Sequence, residues 1–357
     1  MSGSSLDRLD IVFVELEEKG GNWTHKILEA HCISYDEVWS GKLCNATSLS
    51  ASEFVKLHAD YGHLCGQWIN QFIEDKKLDY KVGLIASHGH TVFHVPGSYT
   101  VQIGDGAAIA AKTSLPVVSD LRALDVALGG QGAPIVPMGE KLLFSEHSFF
   151  LNIGGIANIS FNGQNCYDAF DVCPANRVLN MIAAHKGLDF DQDGVLASQG
   201  RIHEELLERL NSMEYYQQPF PKSLANQFGT DIVYPLIKAT AVSDENQMAT
   251  YVEHIAIQVA KSVEAIFSLR NPGLSNPKMM ITGGGALNRY LVSRITHHLA
   301  PLGISAEVPD LQTVLYKEAL IMALLGVLRW REEETVLQSV TGASKASIGG
   351  ALWMGSN

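Results

Sequence analysis

The sequence has few basic residues for its size. Lysine and arginine together number 26 against 38 aspartate and glutamate residues, so the formal net charge of the 357 residues is -12. Sequence-independent binding to nucleic acid or to an anionic membrane requires a basic surface, and both partner classes are therefore disfavoured. An anionic small molecule is still compatible with this balance, because a single arginine or lysine can bind it locally.

Cysteines and long apolar runs are also scarce. The five cysteines are an odd number and none of them forms a C-x-x-C spacing, so free thiols in a reducing compartment are the simplest interpretation. No apolar run reaches the roughly 18 residues that a membrane span needs, and no charged-then-apolar leader opens the sequence. The most apolar stretch, 319–328, predicts a buried helix too short to cross a membrane. We therefore expect a cytoplasmic protein.

Strand and helix patterns alternate along the chain. Continuous or alternating apolar runs predict strands at 11–18, 23–31, 82–86, 116–118, 149–153, 156–160 and 278–281. Helices are predicted from Ser50, where Ser50 and Glu53 fit a capping box, across the apolar positions from Val252 to Ile266, and from Arg289. This alternation predicts an α/β fold, and the length favours two domains.

Three glycine-rich turns adjoin these strands. Segment 3–7 precedes the first strand, Gly154 and Gly155 separate two strands, and 283–285 join a strand to a helix. Turns of this kind can direct backbone amides at phosphate. None fits a Walker A motif or a dinucleotide fingerprint, because the following Lys-Ser/Thr and the G-x-G-x-x-G spacing are absent. For segment 3–7 a helix cap is the alternative, and a phosphate hairpin needs a strand on each side of its turn.

Acidic residues at element ends are candidate catalytic groups. Asp171 ends a predicted strand and is followed by a proline loop, which would place it at a cleft. A helix N-cap ahead of Ala175 explains it equally well from local sequence. Glu318, at the head of the apolar helix, is either a helix-start residue or a cleft residue.

Arg122 and Asp125 flank a turn before the glycine-rich segment 129–134. A simple surface ion pair between the two is the alternative to a binding role, and such a pair would contribute little to stability.

Three histidines, His88, His90 and His94, lie close together in the sequence. A zinc site is disfavoured, because no further ligand stands at zinc-like spacing. We expect them to be hydrogen-bonding groups at the end of the strand at 82–86.

These motifs together resemble the anhydro-N-acetylmuramic acid kinases of bacterial cell-wall recycling. Nine segments carry the resemblance in the family's order across nearly the whole chain: 1–7, 87–91, 102–105, 122–125, 129–134, 151–158, 170–171, 283–285 and 341–343. Each segment is weak evidence alone, whereas nine in order are specific.

The resemblance implies a two-lobed sugar kinase/Hsp70/actin-like α/β fold with duplicated ribonuclease H-like domains and an interlobe cleft. We expect the first lobe at 1–128 and the second at 129–357, with the C-terminal segment returning to the first lobe. ATP and Mg²⁺ are the implied cofactors, a sugar is the implied substrate, and a homodimer is compatible with the family.

The implied reaction is the hydrolytic opening of 1,6-anhydro-N-acetylmuramic acid coupled to phosphorylation of O6. Asp171 matches the catalytic aspartate, which would act as general base. Thr91, Arg122, Asn176 and Glu318 match substrate-binding positions, and Asp7 would lie near Mg²⁺ through water. The implied ATP-binding residues are Gly3, Ser4, Ser5, Leu6, Asp7, Arg8, Leu9, Asp10, Gly154, Gly155, Gly283, Gly284 and Gly285.

The sequence departs from the family pattern at a few positions. The family has a strand ahead of Met1 and glycine where this chain has Arg8. It also has glutamine where this chain has His90, and Thr-Gly-Pro-Gly-Asn where residues 172–176 stand. Two alternatives therefore accompany the kinase hypothesis: a sugar-binding homologue with impaired nucleotide binding, and a kinase of the same fold that acts on another sugar.

Overall fold

The computed structural model describes residues 1–3, 8–163, 166–271 and 273–355. The chain divides into two compact units, one formed by Met1–Ser145 with Tyr316–Asn357 and the other by Glu146–Leu315. The expected lobe boundary at 128/129 stays a prediction.

The strands, in chain order, are β1 (Arg8–Lys19), β2 (Asn22–Ser34), β3 (Ile85–Ala86), β4 (His90–Val95), β5 (Tyr99–Ile103), β6 (Val117–Ser119), β7 (Phe149–Ile153), β8 (Ile156–Asn162), β9 (Tyr167–Pro174), β10 (Lys278–Thr282), β11 (Ser305–Glu307) and β12 (Ala351–Trp353).

The α-helices are α1 (Glu37–Cys44), α2 (Ala51–Asp75), α3 (Gly106–Thr113), α4 (Ala123–Ala127), α5 (Val136–Leu143), α6 (Asn176–Ala183), α7 (Val195–Gln199), α8 (Glu204–Asn211), α9 (Glu214–Gln217), α10 (Tyr234–Lys238), α11 (Asp244–Arg270), α12 (Arg289–Leu299), α13 (Leu311–Trp330) and α14 (Gln338–Thr341).

The first unit contains three separate small sheets. β1 and β2 form an antiparallel hairpin, β4 and β5 form a second one, and a three-stranded sheet has the order β12-β6-β3. The β1–β2 turn uses Gly20 and Gly21 at positive φ, the region in which glycine has no steric penalty. The capping box predicted at the start of α2 is confirmed, since the Ser50 amide donates to Glu53 Oε2 at 2.9 Å and the Glu53 amide donates to Ser50 Oγ at 3.4 Å.

The second unit is built on one five-stranded sheet of order β11-β10-β7-β8-β9. β7, β8 and β9 are antiparallel neighbours, whereas β10 pairs in parallel with both β7 and β11. The long helix α11 is buried along most of its length, and the Tyr251 hydroxyl donates to the Pro174 carbonyl at 2.8 Å. This bond ties the helix to the end of β9.

Most predicted elements are confirmed, and their bounds differ in two informative places. The strand predicted at 82–86 is reduced to the two residues of β3, which pairs only with β6. The helix predicted at 319–328 extends over Leu311–Trp330 and begins seven residues ahead of Glu318, so Glu318 is not a helix-start residue. In the described part of the chain, α13 is the one helix long and apolar enough to span a membrane, and 61% of its apolar window is buried. A largely buried core helix passes the same test.

We expect Ile281→Ala to destabilise the second unit by about 2–5 kcal/mol, because Ile281 is fully buried in β10, an inner strand of the sheet. Leu269→Ala is the matched control: Leu269 is 61% exposed on α11, and its truncation should change the unfolding free energy by less than about 0.5 kcal/mol. Chemical denaturation followed by fluorescence and far-UV circular dichroism measures both. Equal effects of the two substitutions would contradict the assigned core.

Candidate functional site

Two glycine turns lie side by side at one end of the second unit's sheet. The parallel register of β7 and β10 sets Thr282 opposite Asn152, so the two strands end together. Gly154 and Gly155 follow β7, and residues 283–285 follow β10. The carboxyl ends of adjacent parallel strands are where α/β sheets commonly bind ligands.

The second of these turns can only be made of glycine where it meets the end of β7. Gly283 has φ +82°, and a Cβ built on it would lie 2.7 Å from both Asn152 Oδ1 and the Ile153 carbonyl oxygen. A Cβ on Gly285 would overlap the Ile153 side chain. At Gly284, in contrast, the nearest atom to a built Cβ is Asn176 Nδ2 at 3.7 Å, so this position faces space that a ligand could use.

The start of α6 fixes the first glycine turn. Backbone amides of Ala175 and Asn176 donate to the carbonyls of Gly155 and Gly154 at 2.8 and 3.1 Å. The Asn176 side chain adds a bond from Nδ2 to the Ile153 carbonyl at 3.1 Å. Asn176 therefore positions the first turn, a contribution that its predicted role in sugar binding did not include.

Arg177 is a site candidate that the sequence reasoning missed. Its side chain borders Gly155, where a built Cβ would lie 3.7 Å from Arg177 Nε, and the residue is exposed. Among the described residues no carboxylate pairs with it. A free guanidinium beside a glycine turn is suited to phosphate oxygens. The sequence did carry a signal for Arg177. It is a cation in the first turn of the helix that comes after the glycine turn, the strand and the proline.

Asp171 lies on β9 next to a β-bulge. Asn158 of β8 opposes Asp171 and Ala157 opposes Cys173, so Val172 has no partner. Bulges of this kind redirect side chains and are frequent beside active sites. The alternative interpretation of Asp171 as an N-cap is wrong, because α6 begins at Asn176 with Ala175 as its cap and no side-chain capping bond.

Hydrogen bonds from Leu224 and Tyr215 fix Asp171. The Leu224 amide donates to Asp171 Oδ2 at 2.8 Å, and the Tyr215 hydroxyl donates to the Asp171 carbonyl at 2.7 Å. Within the described residues no group donates to Oδ1, which is left to accept a proton. Burial raises the pKa of Asp171 above its usual value, and the Leu224 bond opposes this only in part. A desolvated carboxylate with one oxygen available has the properties of a general base.

In the first unit, Arg122 is a largely buried cation whose hydrogen-bond partners are neutral. Its Nε donates to His88 Nε2 at 2.8 Å and its Nη1 donates to the Gly132 carbonyl at 2.7 Å. Burial lowers the pKa of Arg122 to about 10, opposed by the charge of Glu318, so the guanidinium remains charged at neutral pH. A cation in this position favours an anionic ligand group.

The partner of Asp125 is the glycine-rich segment 129–134, and not Arg122. Its carboxylate accepts from the Gly132 amide at 2.7 Å and from the Thr341 hydroxyl at 2.6 Å, and it is 1% exposed. Gly130 packs so closely on this carboxylate that a Cβ there would overlap it. The expected alternative, a surface pair between Arg122 and Asp125, is therefore wrong. Thr341 brings the C-terminal segment to this cluster.

The three histidines have protein partners. His88 Nδ1 lies 3.0 Å from the Gly89 carbonyl, and burial together with Arg122 lowers the pKa of His88 to about 3, so it is neutral. His90 Nδ1 lies 3.0 Å from Ser2 Oγ, and His94 Nδ1 lies 3.1 Å from Thr100 Oγ1. Thr91 follows on β4 with its side chain exposed, opposite Gln102 of β5. Glu318 is exposed on α13.

The first predicted phosphate loop is described only at its ends. The Met1 amino group donates to the Asp10 carbonyl at 2.7 Å, the Asp10 amide donates to the Met1 carbonyl at 2.9 Å, and Ser2 bridges Leu9. Arg8, Leu9 and Asp10 belong to β1. Gly3 follows Ser2, whereas Ser4, Ser5, Leu6 and Asp7 lie outside the described residues.

The sequence model of one family, described as anhydro-N-acetylmuramic acid kinase, matches residues 1–355. The chain belongs to this family. Similar relatives of the same printed name include the proteins of Aliivibrio fischeri (32% identical over 98% of this chain and 96% of the relative) and Shewanella amazonensis (31%, 98% and 96%). A third, from the Dugway strain of Coxiella burnetii, is 31% identical over 99% of this chain and 96% of the relative.

Family membership confirms the predicted α/β sugar-kinase fold class and the enzyme class, a nucleotide-using kinase that transfers a phosphoryl group. Among solved structures, the activator of 2-hydroxyisocaproyl-CoA dehydratase from Clostridium difficile with bound ADPNP aligns over 60% of this chain and 68% of its own. It is 17% identical with a TM-score of 0.35, too low to bear on the function of this chain.

We expect Gly283→Ala to destabilise the second unit by about 1–3 kcal/mol more than Gly303→Ala. Both residues have positive φ (+82° and +72°), so both variants carry backbone strain, but only at Gly283 would the new Cβ overlap Asn152 and Ile153. Thermal and chemical denaturation of the two variants measure the difference. Equal losses would mean that Gly283 does not pack against Asn152 and Ile153 as described.

Proposed function

We propose that this kinase opens 1,6-anhydro-N-acetylmuramic acid with water and phosphorylates its O6 with ATP, giving N-acetylmuramic acid 6-phosphate. The family membership supports the substrate, and the chemistry suits cytoplasmic recycling of peptidoglycan sugars. The observation that carries the proposal is Asp171, a desolvated carboxylate with Oδ2 fixed by the Leu224 amide and Oδ1 available.

The reaction couples two bond changes through O6. Asp171 accepts a proton from water as the water oxygen bonds to C1, and the C1–O6 bond breaks. O6 then attacks the γ-phosphorus of ATP, so that the O6–P bond forms and the bond to ADP breaks. The proton leaves Asp171 for solvent. The chain's own groups contribute by orienting the reactants and by fixing charge ahead of the reaction.

Residues of the first unit are proposed to bind the sugar. The Arg122 guanidinium, whose described partners are neutral, would pair with the lactyl carboxylate of the substrate. Thr91 and Glu318 expose polar groups for sugar hydroxyls. Asn176, in the second unit, is proposed to contact the sugar from the start of α6. Homodimerisation stays a prediction from the family.

The glycine turns are proposed to bind ATP. Gly154, Gly155 and residues 283–285 would allow close approach of the nucleotide, with Arg177 neutralising phosphate charge. Residues 3–10 are proposed as a further phosphate loop.

For Mg²⁺, no cluster of three acidic, histidine or cysteine ligands occurs among the described residues. This fits an ion held mainly by phosphate and water with one carboxylate, assigned to Asp7. When bound, the ion would neutralise phosphate charge.

We expect Asp171→Asn to reduce kcat about 10²–10⁴-fold, the usual contribution of a positioned general base. Asp168→Asn is the matched control on the same strand: Asp168 pairs with Arg270 on the surface, and its loss should leave kcat within about threefold. A coupled assay of ADP release measures both. Unchanged turnover in Asp171→Asn would remove the proposed base, provided that both variants keep the wild-type Tm.

We expect the acidic limb of the kcat profile to lie above the pKa of about 3.9 of an ordinary aspartate. Burial raises the pKa of Asp171, and a base acts only when ionised, so activity falls as the pH drops through that raised value. The profile between pH 4 and 9, measured on protein shown by circular dichroism to be folded throughout, tests this. A limb at or below the ordinary value contradicts the desolvated environment.

We expect Arg122→Gln to lower kcat/KM for anhydro-N-acetylmuramic acid about 10–100-fold through a higher KM, the scale of one lost charge-assisted hydrogen bond. The comparison substrate is 1,6-anhydro-N-acetylglucosamine, which lacks the lactyl carboxylate. Its kcat/KM should change much less, and plain hexoses should be poor substrates for the unaltered enzyme. An equal loss on both anhydro-sugars would show that Arg122 does not bind the carboxylate.

A further inference from the structure

Residues 215–224, which begin in α9 and continue into the loop after it, contact the outer edge of β9. β9 is the last strand in the order β11-β10-β7-β8-β9, so this edge has no strand partner among the described residues. The Asp171 amide donates to the Lys222 carbonyl at 3.0 Å. One residue earlier on β9, Phe170 stacks on Phe220 with ring centroids 4.7 Å apart and an interplanar angle of 10°. Segment 215–224, which we name the clip, is therefore fastened to β9 at the candidate base.

Three hydrogen bonds join Asp171, Lys222 and Tyr215 into a closed cycle. The Asp171 amide donates to the Lys222 carbonyl, Lys222 Nζ donates to the Tyr215 carbonyl at 3.1 Å, and the Tyr215 hydroxyl donates to the Asp171 carbonyl at 2.7 Å. Each of the three residues donates once and accepts once. Because the amide and the carbonyl of Asp171 are both bound, the planar peptide groups on both sides of its Cα are fixed. The direction in which its side chain leaves the strand is fixed with them.

The Tyr215 side chain is itself held firmly. It is 8% exposed, and its aromatic ring lies 5.4 Å from the ring of Phe228 between centroids. Lys222 Nζ lies 4.6 Å from the centroid of the Tyr215 ring, so the ammonium group contacts both the carbonyl and the ring of the same residue. The hydroxyl that binds the Asp171 carbonyl is therefore carried by a side chain with little freedom to move.

The cycle does not titrate together with Asp171. Burial raises the pKa of Tyr215 and the pKa of Cys173, and the charge of Asp171 raises both further, so both groups keep their protons at neutral pH. Burial lowers the pKa of Lys222, but its nitrogen can donate to the Tyr215 carbonyl in either protonation state. A change in the pH profile of the enzyme would therefore report on the Asp171 carboxylate.

We propose that Tyr215 and Lys222 are positioning residues for the general base, with their hydrogen-bond cycle directing the Asp171 carboxylate at the attacking water. The proposal rests on the proposed function, in which Asp171 takes a proton from that water. Both residues act through Asp171: the cycle sets its main chain so that Oδ2 meets the Leu224 amide and Oδ1 is left for the proton. A misplacement of about 1 Å at a reacting group can cost about 10²-fold in rate, so the cycle serves turnover and not ligand binding.

The test compares Tyr215→Phe with Tyr216→Phe. The first removes the hydroxyl that holds Asp171 and keeps the aromatic ring, whereas the second removes a neighbouring hydroxyl that has no hydrogen-bond partner among the described residues. We expect Tyr215→Phe to lower kcat about 10–100-fold with the KM of both substrates within about threefold. Tyr216→Phe should leave kcat within about twofold. Unchanged kcat in Tyr215→Phe, a loss confined to KM, or an equal loss in the two variants overturns the proposal.

The pH profile separates positioning from a merely structural role. The Leu224 bond opposes the raised pKa of Asp171, and a displaced carboxylate would lose part of that bond. Because the base acts only when ionised, the acidic limb of the kcat profile should move to higher pH in Tyr215→Phe than in the unaltered enzyme. A lower kcat with an unmoved limb overturns the proposal.

Lys222→Met is the second variant, for the case that Tyr215→Phe is poorly folded. It removes the nitrogen that closes the cycle and keeps the apolar stem, and we expect the same direction of change in kcat and in the acidic limb. Only variants that keep the wild-type Tm within about 3 °C are compared. A Lys222→Met enzyme with wild-type kcat and limb overturns the role of Lys222.

A double variant distinguishes failure of this proposal from failure of the proposed function. In the Asp171→Asn background, Tyr215→Phe should lower the residual kcat less than about twofold, because a residue that acts through Asp171 has no base left to position. A further loss of full size overturns the positioning role while the base itself stands. Failure of the proposed function gives a different result, namely full turnover in Asp171→Asn alone.

Discussion

The parallel pairing of β7 with β10 is the interaction on which the second unit's candidate site depends. It makes two strands from distant parts of the sequence end at one level, with Thr282 opposite Asn152. The turn after β10 then packs against the end of β7, and Gly283 fits there only because it has no Cβ. A shift of the register by one residue would separate the turns and reverse the side chains on β10, so the packing of Ile281 and the geometry of the turns are one constraint.

Both candidate reactive groups are charges placed where water is scarce. Asp171 has one oxygen bound to a backbone amide and a raised pKa, and Arg122 is bound to a neutral histidine and a carbonyl. Among the described residues, neither Asp171 nor Arg122 forms an ion pair that would neutralise its charge. Such groups cost stability in the ligand-free protein, and this cost is offset when a substrate supplies the missing charge or proton.

Open strand edges influence the first unit as much as paired strands do. β3 is short although residues 82–86 are all compatible with a strand, because hydrogen bonds on one edge alone extend it by few residues.

Local sequence was sufficient for several features that depend on neighbouring residues. The capping box at Ser50, the bounds of β7 and the positions of the glycine turns follow from spacing and from the conformational freedom of glycine, and the ordered motifs identified the family. Tertiary structure decided what joins distant residues: the Leu224 amide on Asp171, Thr341 on Asp125, and Arg177 beside Gly155. It also decided that Asp171 is not a helix cap and that α13 begins at Leu311. The Leu224–Asp171 bond spans 53 positions of the sequence and the Thr341–Asp125 bond spans 216. Contacts this distant have no periodicity for a sequence pattern to reveal, since only the folded chain brings their atoms within reach.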